Sequence, residues 1–177
     1  MRKEKGIVFA GIDVGSTTTK TVVMDGNTHT VLYSDYRRHQ ADQIKSVQDI
    51  LWKLQGKFPK HQIYLSMTGS GAKILADAVG VPYIQEVVAN SVALREKYDN
   101  VNTAIELGGQ DAKIIFFREN ESTHQLETSD MRMNGSCAGG TGAFLDEIAS
   151  VLSMPVEKLN EAAAHGTCVY DLSLIHI

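Results

Sequence analysis

The sequence predicts an α/β fold built from two copies of one architecture. A strand, a glycine-containing turn, two more strands and a helix follow one another near residue 6, and the same order restarts near residue 102. Alternating β-branched residues indicate the strands, and apolar residues at helical spacing indicate the helices. The two copies share architecture rather than sequence identity, and no low-complexity linker separates them.

The first copy is predicted to open with a three-stranded meander over residues 6–13, 18–24 and 30–36. Asp25 and Gly26 indicate a tight hairpin turn between the second and third strands. Residues 41–54 carry apolar side chains at helical spacing, and Gly56 marks the end of that helix. The remaining elements of this copy are a strand over 62–68, a helix that ends at 78 and a helix over 85–98.

The second copy is predicted to open with strands over 102–107, 112–118 and 124–131. A helix over 141–152 follows, and Pro155 starts a further helix that runs to residue 164. We therefore expect one domain over 1–100 and the beginning of a second domain over 101–171. Residues 172–177 form an apolar run that matches one reading frame of a common sequencing adapter, so we interpret them as a non-native tail. A true C-terminal strand is the alternative.

Composition excludes several classes of partner. The net charge of -4 offers no basic surface for nucleic acid, and no apolar run reaches the roughly 20 residues that span a bilayer. The first residues lack the apolar stretch of a signal peptide. With 2 cysteines and no export signal, we expect a cytoplasmic protein whose thiols are free or bind metal.

The first glycine turn, residues 13–20, reads Asp-Val-Gly-Ser-Thr-Thr-Thr-Lys. Gly15 permits close approach of the backbone to a ligand, the following hydroxyl and N–H groups can hold a terminal phosphate, and Asp13 can face its Mg²⁺. The turn is not a Walker loop, because its spacing differs and a strand follows it. An ordinary polar hairpin is the alternative.

The second turn, residues 106–113, reads Glu-Leu-Gly-Gly-Gln-Asp-Ala-Lys and occupies the same place in the second copy. Two such turns facing each other would clamp the phosphates of a nucleotide, and Gln110 could position the attacking water. A third turn, residues 68–73, either touches phosphate or only connects a strand to a helix. Glu86 and Asn90 lie one helical turn apart, and we expect them on a solvated face.

Cys137 lies in a glycine-rich turn that leads directly into a helix. Backbone N–H groups of the turn and the N-terminus of that helix can face an anion, which suits a thiolate and hence a metal or cluster ligand. A buried, inert cysteine is the alternative. A single thiolate per chain cannot hold an iron–sulfur cube, whereas two identical subunits giving two each would suffice.

Residues 11–20, 107–113 and 133–142 together resemble the ATPase activators of 2-hydroxyacyl-CoA dehydratases and the related ATPase subunits of benzoyl-CoA reductases, the BadF/BadG/BcrA/BcrD ATPase family. The match extends over nearly all of residues 6–171. Residues 132–135, Arg-Met-Asn-Gly, together with Glu106, are most similar to the branch of large CoA-substrate activases.

The resemblance implies an actin-like, Hsp70-like ATPase fold of two RNase H-like domains, the second truncated here. It implies ATP and Mg²⁺ in the cleft, and one [4Fe–4S] cluster that bridges a homodimer and passes an electron to an acyl-CoA dehydratase or reductase. Reduced ferredoxin or flavodoxin is the implied donor. By motif, Asp13 would serve Mg²⁺ and catalysis with Gln110, and Cys137 would bind the cluster. The implied phosphate-binding residues are Gly15, Ser16, Thr17, Thr18, Lys20, Gly108 and Gly109.

Two departures from the family pattern concern the end of the chain. The adenosine-binding glycine turn of these proteins lies further along and is absent here. The second cluster cysteine usually follows an Ala-Ser-Arg stretch soon after a tyrosine, and Tyr170 fits that tyrosine. Cys168 is therefore the weaker candidate for the second ligand. A sugar or small-acid kinase of the same fold and an actin-like assembly protein are the competing functions.

Overall fold

The computed structural model describes residues 6–98, 101–120, 126–134 and 140–168. The first part contains β1 (Gly6–Val14), β2 (Thr18–Asp25), β3 (Val31–Arg38), α1 (Gln43–Lys57), β4 (His61–Thr68), α2 (Ala72–Val79) and α3 (Glu86–Lys97). The second part contains β5 (Thr103–Leu107), β6 (Ala112–Glu119), β7 (Leu126–Met133), α4 (Gly142–Val151), a 3-10 turn (Val156–Lys158) and α5 (Leu159–Ala164).

The described strands form two sheets. One has the order β3-β2-β1-β4, with β4 parallel to β1 and the other pairs antiparallel, and the second has the antiparallel order β5-β6-β7. The predicted α/β class and both three-stranded meanders are thus confirmed. Among the described residues no helix is long and apolar enough to cross a membrane.

Two local details differ from the predictions, and the first of these predictions was wrong. The connection between β2 and β3 is a five-residue loop over 26–30 rather than a tight turn, because the Asp25 carboxylate accepts hydrogen bonds from the backbone of Asn27 and Thr28. The helix predicted after Pro155 ends at Ala164 as expected, but its first residues, Val156–Lys158, form a 3-10 turn. The division at residue 100 stays a prediction, and residues 172–177 lie outside the described part.

The packed core of the first part lies between its sheet and the helices α1 and α2. β1 contributes every second side chain, and α1 contributes Val47, Ile50 and Leu54 at helical spacing. Burial of a Val, Leu or Ile side chain contributes about 1.5–3 kcal/mol, so this layer holds the end of β1 in place. The strand thereby delivers Asp13 and the first glycine turn to a fixed position.

Helix α1 begins at a well-defined cap. The Asp42 carboxylate accepts a hydrogen bond from the backbone N–H of Lys45 at 2.9 Å, which satisfies one of the free donors of the first turn. The two preceding residues, Gln40 and Ala41, have φ of 51° and 67°. This left-handed backbone is uncommon for residues other than glycine, and it turns the chain sharply between β3 and α1.

Candidate functional site

The first and second glycine turns meet in the structure. Gly109 lies so close to Thr17 that a Cβ atom added at Gly109 would stand 2.4 Å from the Thr17 Oγ1. Thr17 belongs to the turn after β1, and Gly109 belongs to the turn after β5. The equivalent ends of the two sheets therefore face each other, as the sequence predicted.

Asp13 and Lys20 form an ion pair at the first turn. The Lys20 Nζ donates to Asp13 Oδ2 at 2.7 Å, and the turn itself is closed by a 2.9 Å hydrogen bond from Gly15 N–H to Thr18 O. Burial lowers the pKa of Lys20, but the Asp13 partner and the charge of Glu106 outweigh it and raise the pKa above its usual value. The Asp13 carboxylate is thus paired with the Lys20 ammonium, and its role toward Mg²⁺ stays a prediction.

The third turn packs directly on the first. Gly71 N–H donates to Val14 O at 2.9 Å, and the hydroxyls of Ser70 and Ser16 lie 3.4 Å apart. Gly69 has φ of 104°, and a Cβ added there would lie 2.5 Å from Asp13 Oδ1. Only glycine fits at this position, because both the backbone conformation and the space exclude a side chain. The third turn therefore supports Asp13 rather than merely joining two elements.

His39 and Gln43 contact the same carbonyl oxygen of the first turn. His39 Nε2 lies 3.0 Å from Gly15 O, and Gln43 Nε2 donates to that oxygen at 3.2 Å. The backbone N–H of His39 also donates to Thr17 O at 3.3 Å. Sequence reasoning assigned no role to either side chain, because 24 and 28 residues separate them from Gly15 and no local motif joins them.

The second turn is held from two sides. Gly108 N–H donates to Asp111 O at 2.8 Å, while the first N–H groups of α4, from Gly142 and Ala143, donate to the carbonyls of Gly108 and Gly109 at 3.0 and 2.8 Å. The expectation that this helix N-terminus is available to an anion is therefore wrong for these two donors. The carbonyls of the second turn accept both hydrogen bonds. Gln110, which lies between Gly109 and Asp111 in the sequence, is exposed.

The prediction of a solvated face for Glu86 and Asn90 is also wrong. Glu86 Oε2 accepts from Lys113 Nζ at 2.6 Å, and Asn90 Nδ2 donates to Glu106 Oε2 at 2.9 Å. Their shared helical face is turned to the β5–β6 hairpin, so α3 contacts the second turn. The signal in the sequence was their spacing of four residues, which places both side chains on one face of a helix.

A further ion pair, between β3 and α4, also connects the two parts of the chain. The Arg38 guanidinium donates to both carboxylate oxygens of Asp146, at 2.9 and 3.1 Å. Asp146 lies on α4, the helix that follows the glycine-rich segment of Cys137 in the sequence. Arg38 is the residue before His39, so the end of β3 contacts both the first turn and α4.

The structure leaves the predicted roles of the two cysteines untested. Cys137 lies within 135–139, outside the described residues, and Cys168 is a free, exposed thiol. Within the described ranges, no group of three or more His, Cys, Asp or Glu side chains is arranged to hold a metal ion. The cluster assignment of either cysteine therefore stays a prediction.

A model of the BadF/BadG/BcrA/BcrD ATPase family matches residues 10–175. The chain belongs to this family. It is 29% identical over 163 residues to the (R)-2-hydroxyglutaryl-CoA dehydratase activating ATPase of Acidaminococcus fermentans, over 91% of this chain and 60% of that protein. The family resemblance drawn from the three motifs is thus confirmed.

Two solved structures of similar proteins agree with this family assignment. The crystal structure of the Acidaminococcus fermentans (R)-2-hydroxyglutaryl-CoA dehydratase component A superposes with a TM-score of 0.74, at 26% identity, over 94% of this chain and 62% of that one. The activator of the 2-hydroxyisocaproyl-CoA dehydratase from Clostridium difficile, with bound ADPNP, gives 0.72 at 25% identity, over 94% and 60%. The fold is the actin-like ATPase fold, and the chain spans about 60% of the length of such relatives.

Proposed function

We propose that the full-length protein is an ATP-driven activator that donates an electron to a 2-hydroxyacyl-CoA dehydratase or to a benzoyl-CoA reductase-type enzyme. The observation that carries this proposal is the contact between Thr17 and Gly109, which brings two phosphate-type turns together in a family of ATPases. Relatives named as dehydratase activators, and the ADPNP found in one of them, support it.

In this proposal the first turn binds the phosphates of ATP through Gly15, Ser16 and the neighbouring threonines, and Lys20 offsets their charge. Asp13 faces Mg²⁺, and His39 and Gln43 keep the turn in shape through the Gly15 carbonyl. From the other side, Gly108 and Gly109 let the backbone approach the phosphates, and the exposed Gln110 orients the attacking water.

The second half of the proposal concerns the thiol. Cys137 of two subunits, with a second cysteine from each, would bind one [4Fe–4S] cluster across a homodimer, which supplies a low-potential electron when bound. Cys168 is a candidate for that second cysteine. In this proposal α4, which begins at the second turn and follows Cys137 in the sequence, couples the nucleotide site to the thiol. Reduced ferredoxin or flavodoxin is the proposed donor.

Anaerobic purification of the full-length protein tests this function. We expect a brown dimer that contains iron, hydrolyses Mg-ATP and activates a purified acyl-CoA dehydratase only in the presence of ATP and a reductant. A colourless protein without iron that phosphorylates small hydroxylated substrates would instead establish a kinase of the same fold. Filaments that form on nucleotide binding, again without iron, would establish an assembly protein.

A further inference from the structure

Lys113 on β6 is a buried lysine surrounded by acidic side chains. Its side chain is only 10% exposed, and its Nζ lies 2.6 Å from Glu86 Oε2, 3.3 Å from Asp111 Oδ2 and 3.7 Å from Glu106 Oε1. Lysine is among the residues that are almost never buried unless they are paired. Removal of such an ammonium leaves carboxylates without a partner in a partly desolvated place, which is costly.

The acidic partners come from both sides of the second turn and from the helix that precedes it. Glu106 and Asp111 flank Gly108 and Gly109, and the backbone of Asp111 closes that turn through its bond from Gly108. Glu86 lies at the start of α3, which leads from the first part of the chain into β5. Lys113 therefore ties the connecting helix to the two acids of the turn.

The charge of the Lys113 cluster extends to the first turn. Burial lowers the pKa of Lys113, but the hydrogen bond and charge of Glu86, the charge of Glu106 and the hydrogen bond to Asp111 outweigh it and raise the pKa well above its usual value. Lys113 thus stays protonated at any physiological pH. Glu106 also acts on Lys20, so the acids of the second turn are within electrostatic reach of the first.

We propose that Lys113 is a positioning residue for the nucleotide phosphates: it holds Glu106 and Asp111 back against α3 and offsets their charge, so that the second turn can accept a polyanion. The inference rests on the proposed ATP site. Without the ammonium, the carboxylates beside Gly108 and Gly109 would repel the phosphates and would be free to turn toward them.

A merely stabilising ion pair makes a different prediction. Loss of such a pair lowers the melting temperature but leaves the affinity of the folded protein for nucleotide unchanged. A positioning role changes the affinity itself, and part of the loss should recover in high salt, because salt screens repulsion between charges. Lys113→Arg keeps the positive charge, so it should bind the nucleotide about as well as the unchanged protein at both low and high salt.

The test is a calorimetric titration of the full-length protein with Mg-ADPNP at low and high ionic strength. We expect Lys113→Met to bind roughly tenfold more weakly at low salt and Lys113→Arg to bind within about threefold of the unchanged protein. Lys158→Met is the matched control, since the Lys158–Glu161 pair at 3.8 Å is exposed and lies outside the three glycine turns. Binding by folded Lys113→Met equal to that of the control would overturn the inference.

A second variant covers the case in which Lys113→Met does not fold. Glu86→Gln combined with Lys113→Met removes the closest charged pair together, so no unmatched charge remains between them, while Glu106 and Asp111 still lose their ammonium. We expect this variant to fold and to bind Mg-ADPNP at least about threefold more weakly than the unchanged protein. Equal binding would refute the positioning role, whereas failure of the unchanged protein to bind Mg-ADPNP would refute the proposed function itself.

Discussion

At the scale of single residues, Asp13 is held in place from three directions. The core layer fixes β1, Lys20 binds the carboxylate, and Gly69 of the third turn lies directly against it. A carboxylate supported in this way keeps its position when a ligand arrives, so its contribution to a metal site costs little reorganisation.

We expect Asp13→Ala to lower Mg-ATP hydrolysis by the full-length protein by roughly a hundredfold, because a cleft acid serves the metal rather than the core. Hydrolysis is measured by phosphate release, and circular dichroism checks that the fold is retained. Asp49→Ala, at an exposed position on α1, is the control and should hydrolyse ATP normally. Unchanged turnover in Asp13→Ala would remove this residue from the site.

The cysteines allow a second prediction at this scale. Cys137→Ser in the full-length protein should lose the iron and the electron transfer yet keep nucleotide binding, since the phosphate turns lie elsewhere in the chain. The dimer should weaken as well, because a bridging cluster ties the two subunits together.

Cys168→Ser is the matched control, and we expect it to keep its iron. Iron content per dimer and ADPNP affinity, both measured anaerobically, compare the two variants. Full iron in Cys137→Ser would contradict the cluster assignment. Lost iron in Cys168→Ser would instead make Cys168 the second ligand.

At the scale of the elements, the end of β3 contacts both sides of the site. Arg38 binds Asp146 on α4, and His39 binds the carbonyl of Gly15. Exposed ion pairs contribute only about 0–1 kcal/mol to the free energy of unfolding. The effect of this pair should therefore appear in the closure of the cleft more than in global stability.

We expect Arg38→Ala to weaken ADPNP binding several-fold, by about 1 kcal/mol, while the urea midpoint changes little. The variant lacks the bidentate contact between Arg38 and Asp146, which we expect to help the two parts close around a ligand. Lys158→Ala is the control, because the Lys158–Glu161 pair at 3.8 Å lies within one segment. If both variants bind ADPNP equally well, the Arg38–Asp146 pair has no part in closure.

The elements themselves could be predicted, but their mutual contacts could not. The alternation of residues along β1 and β2 and the glycines after them are local signals, so both meanders and both turns followed from the sequence. Arg38 and Asp146 are 108 residues apart, and no periodicity relates them. Glu86 and Asn90 looked like solvent-facing residues because polar side chains on a helix are usually exposed, whereas here they bind the next hairpin.

At the scale of the whole molecule, acid should destabilise the first part through Asp35. Its carboxylate is bound by Arg37, by the Tyr33 hydroxyl at 3.0 Å and by Lys53 at 3.2 Å. The Arg37 hydrogen bond is the main cause of a pKa lowered to about 2. Because the pKa is depressed in the folded state, this contribution is complete above the usual pKa near 4 and is lost as the pH falls toward 2.

Asp35→Asn should therefore reduce the free energy of unfolding by about 1 kcal/mol at pH 7, and the difference from the unchanged protein should vanish between about pH 4 and 2. Urea denaturation at several pH values measures it. Asp77→Asn, which alters only the exposed pair with Lys73, is the control and should behave like the unchanged protein throughout. A constant difference at all pH values would contradict the role of ionised Asp35.

The near-contact of Thr17 with Gly109 also limits which amino-acid substitutions the two positions can accept. Two positions 92 residues apart in the chain share one small volume, because a Cβ at position 109 would meet the Thr17 side chain at 2.4 and 2.8 Å. A larger residue at 109 is tolerable only if position 17 shrinks to glycine or alanine at the same time. Position 17 can therefore lose side-chain atoms alone, whereas a substitution at position 109 is expected to be accepted only together with a smaller residue at position 17.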